Sequence, residues 1–235
     1  MASHEETIQP WYMVCLNVNR KPCLVIGGGE VARRKAATLS DCGGLVTVIS
    51  PKVDPIIEYM VQQNELQWIA REFETVDITD QYMVVIAATD NREVNHQISR
   101  ICLEQRILCN VVDQPDEGSF IVPSTVERGP LTIGISTSGI SPTLASSIRQ
   151  ELEMAYGEEY GTFLEIMSTV RQQVIDLFPL PKQRQKIFDR MISSRAISLL
   201  RSGMKEAALK ELQHIIDEGR NDPSLSQGGA LPIIS

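Results

Sequence analysis

The run Cys23-Leu24-Val25-Ile26-Gly27-Gly28-Gly29-Glu30-Val31-Ala32 joins an apolar stretch, three glycines and a helix-forming stretch, the arrangement that binds a pyrophosphate. Read as G-x-G-x-x-A, Gly27 permits a tight turn, Gly29 lets backbone approach the phosphates, and Ala32 allows the helix to pack closely on the strand. The phosphates then sit at a helix N-terminus, where unpaired N–H groups and the positive end of the macrodipole face them. A glycine cluster at this place also serves as a plain turn. Context decides, because a second β-branched run, Val46-Thr47-Val48-Ile49, follows at the spacing of a β-α-β unit.

The acid that a dinucleotide fold places about 20 residues on, to grip the adenosine ribose, is missing here. Ser50-Pro51-Lys52 stands in its place, so the motif does not choose between NAD and NADP. Lys52 and Arg33 are the cations able to meet a 2′-phosphate, and both also read as solvated surface charges.

Positioning such a site takes a sheet. The pattern runs on as helix (53–63), short strand (66–70), strand (83–88), helix (92–105) and strand (107–112), an alternation of β and α. Continuous apolar strands such as Met83 to Ala88 suit a parallel sheet covered on both faces. The predicted fold is therefore α/β, a Rossmann-like doubly wound parallel sheet.

Ligands on these sheets bind beyond the carboxyl ends of the strands, which singles out Thr89-Asp90-Asn91 and Asp113-Gln114. Asp90 and Asn91 equally suit the N-cap of the helix opening at Arg92. Asp113 also suits the turn before Pro115, the lesser of its two readings.

Beyond Pro115 the alternation stops. Residues 119–123 and 131–136 read as two strands joined by 124–130, a small β module that pairs with its counterpart in a second subunit. Ser136 to Ser141 then feeds a helix capped by Ser141 with Pro142 at its first position, a second potential anion site. Helical periodicity fills 156–218, broken near Pro179 and Gly203, and 219–235 reads as a disordered tail. The expected divisions are 1–115, a NAD-binding Rossmann domain; 116–150, a dimerisation module; 151–218, a helical C-terminal domain; and the tail.

Composition narrows the function classes. A net charge of −8 disfavours nucleic acid as partner, and the basic clusters at 33–35 and 182–190 read as wet helix faces. No apolar run approaches a membrane span and the N-terminus lacks a signal pattern, so the expected location is cytoplasmic. Five cysteines without C-x-x-C spacing and three scattered histidines give no metal site, and the cysteines read as buried thiols.

Taken together, Leu16-Asn17 to Cys23, Gly27 to Lys35, Ala87-Ala88-Thr89-Asp90, Asn110-Val111-Val112-Asp113, Ser119-Phe120-Ile121-Val122-Pro123 and Ser138 to Ala145 resemble the N-terminal module of siroheme synthase. That is the family of precorrin-2 dehydrogenases and sirohydrochlorin ferrochelatases. The resemblance spans roughly the first two-thirds of the chain in family order. It implies NAD-dependent oxidation of precorrin-2 to sirohydrochlorin in siroheme or cobalamin synthesis, with insertion of iron or cobalt as an alternative second activity. It also implies a homodimer intertwined through the small β module. A non-catalytic dinucleotide sensor is the alternative of another class.

By the same resemblance Asp113 is the catalytic base and Gly27, Gly29, Glu30, Val31, Pro51, Lys52, Thr89 and Asn110 bind the cofactor. Oxidising a reduced tetrapyrrole releases a pyrrole proton, which is work for a positioned carboxylate. A substrate with eight carboxylates also needs positive partners. Arg128, Ser138, Ser141 and Arg149 are the expected substrate-binding residues, with Lys182 and Arg184 as further cations.

Overall fold

The computed structural model describes residues 11–112 and 114–222. The chain forms two compact units, Met1–Val122 and Pro123–Ser235.

The first unit is a five-stranded sheet of β1 (Pro22–Ile26), β2 (Leu45–Ile49), β3 (Gln67–Ile69), β4 (Val84–Ala87) and β5 (Leu108–Val111) in the order β3-β2-β1-β4-β5. Every pairing in it is parallel. Helices α1 (Glu30–Asp41), α2 (Pro55–Gln62) and α3 (Arg92–Gln105) supply the crossovers. Because β1 and β4 are buried on both faces, their side chains feed two separate cores. Val25 and Ile86 pack with Ala32, Ala36 and Ile57, whereas Leu24 and Val85 pack with Ile98 and Cys102. This is the doubly wound sheet that uninterrupted apolar strands require.

Residues 116–122, which the sequence joins to the later module, fall within this first unit. Ser119 N–H donates to Cys109 O at 2.8 Å, and its Oγ accepts from Cys109 N–H at 2.8 Å. Asn110 Nδ2 donates to Phe120 O at 3.1 Å, and the Phe120 ring packs against the core on the α1 and α2 side.

The second unit begins with an antiparallel hairpin, β6 (Ser124–Arg128) and β7 (Leu131–Ile135). The first hairpin strand is thus 124–128, where the sequence suggests a connection, and the predicted strand 119–123 is not one. Two reasons account for the shift: 119 and 120 are bonded to β5, and Pro123 has no N–H to give a ladder. Gly129 at φ +53° followed by Pro130 fits a two-residue II′ turn, which sets the register Arg128 to Leu131.

Helices α4 (Pro142–Ala155), α5 (Glu158–Leu177), α6 (Pro181–Ile192), α7 (Ala196–Arg201) and α8 (Lys205–Asn221) complete the unit. The last four enclose a core of Phe163, Ile166, Val174, Ile187, Met191, Leu212 and Ile216. The helix α8 continues to Asn221, so 219–221, assigned by sequence to the tail, are helical; 223–235 lie outside the described residues. Among the described residues no helix is long and apolar enough to cross a membrane.

Candidate dinucleotide-binding site

Three glycines close β1, and each does something different. Gly27 has φ +126°, and a Cβ there would stand 2.2 Å from Ala88 O. Gly28 runs so close to the turn after β2 that a Cβ would lie 1.9 Å from Lys52 O. The two crossings are bonded as well, since Asp54 N–H donates to Gly28 O at 2.7 Å and Gly27 N–H to Ile49 O at 3.0 Å. The fold itself therefore requires these two glycines.

Gly29 differs. A Cβ built on it meets no atom within 4 Å. As N-cap of α1 it offers no side chain to the first-turn N–H groups, which have no intrahelical partners. The open space beside it is a cavity of about 630 Å³ lined by Gly27, Gly28, Gly29, Glu30, Val31, Ser50, Pro51, Lys52, Glu72, Phe73, Thr89, Asp90, Asn91 and Val112 among others. An anion is the chemistry such a cradle accepts. The residues present fit a dinucleotide, because Gly29 leaves free the volume that a pyrophosphate needs.

Seven of the eight residues expected to bind cofactor line this cavity: Gly27, Gly29, Glu30, Val31, Pro51, Lys52 and Thr89. The eighth, Asn110, is 6% exposed and commits its side chain to Phe120 O. It holds the 119–120 segment on β5. The Thr89 hydroxyl is also engaged within the protein, donating to Asn95 Oδ1 at 2.7 Å, so Thr89 shapes the wall. Asp113 lies outside the described residues; Val112 before it lines the cavity.

The end of β2 explains the missing acid. Ser50 turns inward, its hydroxyl donating to Lys52 O at 2.7 Å while its carbonyl accepts from Trp68 Nε1 at 2.9 Å. Charge enters the cavity from elsewhere: Glu30, Glu72 and Asp90 against Lys52. Arg33, the other cation considered, lies 3.6 Å from Asp54, the residue that caps α2. Glu72 follows the short strand β3 in a loop with no motif that marks it as a site residue in the sequence. Arg71 and Asp77 hold that loop, Arg71 Nη1 donating both to Asp77 Oδ2 and to Glu72 O at 2.8 Å. The Arg71 guanidinium keeps the Asp77 carboxyl below its ordinary range.

In the second unit the expected substrate residues have mixed fates. The Arg128 guanidinium, 18% exposed, is engaged within the unit, donating to Tyr156 O at 3.0 Å, Glu153 O at 3.3 Å and Glu127 O at 2.8 Å. It therefore closes the C-terminal end of α4, with Glu158 Oε1 3.3 Å away. Arg149 pairs with Glu153 one turn on, which neutralises it locally. Ser141 is the N-cap of α4, its Oγ accepting from Leu144 N–H at 3.2 Å. Ser138 sits beside it in the left-handed region at φ +54°, next to Gly139 at +79°. Among the described residues no three His, Cys, Asp or Glu gather as a metal site.

Comparison with known proteins agrees with this layout. Residues 14–124 match a family described as putative NAD(P)-binding, 128–154 match the sirohaem biosynthesis protein central region, and 159–216 match the sirohaem synthase dimerisation region. Siroheme synthase 3 of Aeromonas hydrophila subsp. hydrophila is 37% identical over 177 residues, 75% of this chain and 38% of that protein. The siroheme synthase of Thioalkalivibrio sulfidiphilus is 33% identical over 209 residues, 89% of this chain and 42% of that protein. The chain thus spans about two fifths of the length of these curated relatives. Among solved structures, SirC, a precorrin-2 dehydrogenase, superposes with a TM-score of 0.73 at 22% identity, covering 90% of this chain and all of that one. At that identity the likeness speaks for the fold. With its three modules in sequence order and with relatives above 30% identity over three quarters or more of its length, this chain belongs to the siroheme synthase family.

Proposed function

We propose that the protein oxidises precorrin-2 to sirohydrochlorin with NAD as hydride acceptor. The observation that carries this reading is the open volume beside Gly29 at an uncapped helix start, in a chain whose relatives are siroheme synthases. When bound, NAD supplies the acceptor for a hydride leaving carbon. The protein's own residues do the rest: α1 holds the pyrophosphate by first-turn N–H groups, and Glu30, Glu72 and Asp90 set three carboxylates in the cavity against Lys52. That balance favours NAD over NADP, because a 2′-phosphate gains one cation and meets three acids.

Asp113 takes the pyrrole proton in this reading. It is supported by family resemblance and by its position directly after Val112, a cavity residue. Ser138 and Ser141, at the start of α4, are proposed to meet substrate carboxylates. The cations first considered with them, Arg128 and Arg149, are already paired.

The working form is a homodimer in a reducing, cytoplasmic setting. Two features support pairing: a two-stranded β6-β7 ribbon is marginal by itself, and 159–216 match a dimerisation region. Free, buried thiols at Cys102 and Cys109 support the reducing setting.

The test incubates purified protein with enzymatically made precorrin-2 and NAD. Reduced cofactor is expected to form in step with sirohydrochlorin absorbance. Bound NAD with no reduction identifies a dinucleotide sensor and overturns the enzyme reading.

A further inference from the structure

Asn95 is a buried polar residue, 6% exposed, on the face of α3 otherwise built from Ile98 and Cys102. An apolar side chain would pack there without needing partners, so the amide requires a reason. Its partner is one residue, Thr89. Asn95 Oδ1 accepts from Thr89 N–H at 3.2 Å, and Asn95 Nδ2 donates to Thr89 O at 3.0 Å. The amide thus continues the hydrogen-bond ladder past the end of β4, using a side chain where the strand ends. Its orientation is fixed by the partners, acceptor against donor and donor against acceptor.

The network closes around the same loop. Thr89 Oγ1 donates to Asn95 Oδ1 at 2.7 Å and accepts from Asn91 N–H at 3.2 Å. Asn91 Oδ1 in turn caps α3, accepting from Glu93 N–H at 3.0 Å and Val94 N–H at 3.3 Å. Thr89, Asp90 and Asn91 all line the cavity beside Gly29. The Gly27 turn leans on this loop as well, since a Cβ on Gly27 would stand 3.1 Å from Thr89 N. One buried amide therefore fixes the peptide against which both sides of the cradle are built.

We infer that Asn95 is a positioning residue for the dinucleotide, acting through Thr89 to hold the β4–α3 loop in its binding shape. The inference rests on the dinucleotide reading of the cavity. It touches no ligand itself; its effect reaches the site through the Thr89 peptide.

The discriminating variant is Asn95→Asp, which keeps the shape. One carboxyl oxygen still accepts from Thr89 N–H, while the other confronts Thr89 O. A protonated carboxyl donates to that carbonyl as the amide does, whereas an ionised one repels it. Burial and the facing carbonyl both favour the protonated form. NAD affinity of N95D, measured by titration calorimetry, is expected near wild type at about pH 5 and about tenfold weaker at about pH 8, the effect of roughly one net hydrogen bond. Wild type stays within about threefold across the same range.

The companion readout needs no ligand. Hydrogen-exchange protection of the Thr89 amide, corrected for intrinsic rates, falls over the same pH range in N95D and not in wild type. Far-UV circular dichroism unchanged at both pH values ties these effects to the loop. A wild-type protein that does not bind NAD overturns the dinucleotide reading. Wild-type binding together with a pH-independent N95D, in affinity and in exchange, overturns the role of Asn95.

Discussion

A Cβ on Gly28 would lie 1.9 Å from the carbonyl oxygen of Lys52, whereas one on Gly29 would touch nothing. Neighbouring glycines are thus kept for different reasons, one by the fold and one by what the fold binds. Gly28→Ala forces the β1 turn away from the β2 turn and is expected to cost roughly 2–3 kcal/mol by overpacking against backbone. Gly29→Ala is expected to cost less than about 1 kcal/mol, the difference between these residues at an N-cap. For Gly29→Ala the large effect falls on NAD affinity, which should drop at least about tenfold because the new methyl fills the phosphate volume. Denaturant melts and calorimetry on both variants measure the two effects. Unchanged NAD affinity in Gly29→Ala would remove the pyrophosphate from that space.

Arg128 reads in sequence as a cation for substrate carboxylates, and in the structure it closes α4. Its three carbonyl contacts include Glu153 O and Tyr156 O, groups at a helix end that lack intrahelical donors. Arg128→Ala leaves them buried beside an empty slot and is expected to destabilise the second unit by about 1–3 kcal/mol. Arg128→Lys restores the charge without the fork, so it should recover only part of the loss. If Arg128→Ala instead raises KM for the tetrapyrrole with no change in the unfolding midpoint, the substrate role stands and the structural one falls.

Sequence made the sheet legible because β1 and β4 are continuous apolar runs, the composition that a strand covered on both faces favours. The helix α3 was readable to the residue, having Asn91 as cap and Arg92 as start. The hairpin was not: 119–123 is as β-prone as any strand, and what removes it from the ladder is its bonding to Cys109 and Asn110, ten residues back. The structural engagement of Arg128 was illegible for a similar reason. An exposed-looking cation carries no mark of the helix end that will consume it. Asn95 did leave a trace, as a polar residue in phase with Ile98 and Cys102 on an apolar helix face, yet only the fold shows that its partner is Thr89.

The loop that brings Glu72 and Phe73 to the cavity is held by Arg71 and Asp77 through two side-chain hydrogen bonds, and Asp77 Oδ2 also accepts from Glu74 N–H at 2.8 Å. The hydrogen bond from Arg71, and then the backbone bond, hold the Asp77 carboxyl below its ordinary value of 3.8. A carboxylate favoured in the folded state stabilises it above the ordinary range, and that contribution disappears as pH falls through the lowered value. Asp77→Asn is therefore expected to lose about 1 kcal/mol near neutrality, a figure limited by solvent around Arg71. Once the pH lies below that lowered value, the variant and wild type should converge. Urea melts across this range check it, and a constant gap at every pH would show that charge plays no part in the loop's hold.

The cysteines divide by position more sharply than their sequence surroundings suggest. Cys15 and Cys42 are exposed, against the expectation of buried thiols, while Cys23, Cys102 and Cys109 are buried. Burial pushes the Cys23 thiol up to about 11. Cys102, beside Cys109 and desolvated, is also raised, so neither Cys23 nor Cys102 is ionised near neutrality. Because the thiolate is the reactive form, a disulfide-exchange reagent at about pH 8 should label Cys15 and Cys42 quickly and the other three only as fast as the first unit opens. Adding NAD slows that opening by mass action if the cradle binds it. The labelling rate of Cys109 should then fall in proportion to NAD concentration above its Kd, while Cys15 and Cys42 keep their rates. Equal slowing at all five would point to the reagent and not to the protein, and no slowing at Cys109 would mean that the dinucleotide does not stabilise the sheet whose turns hold it.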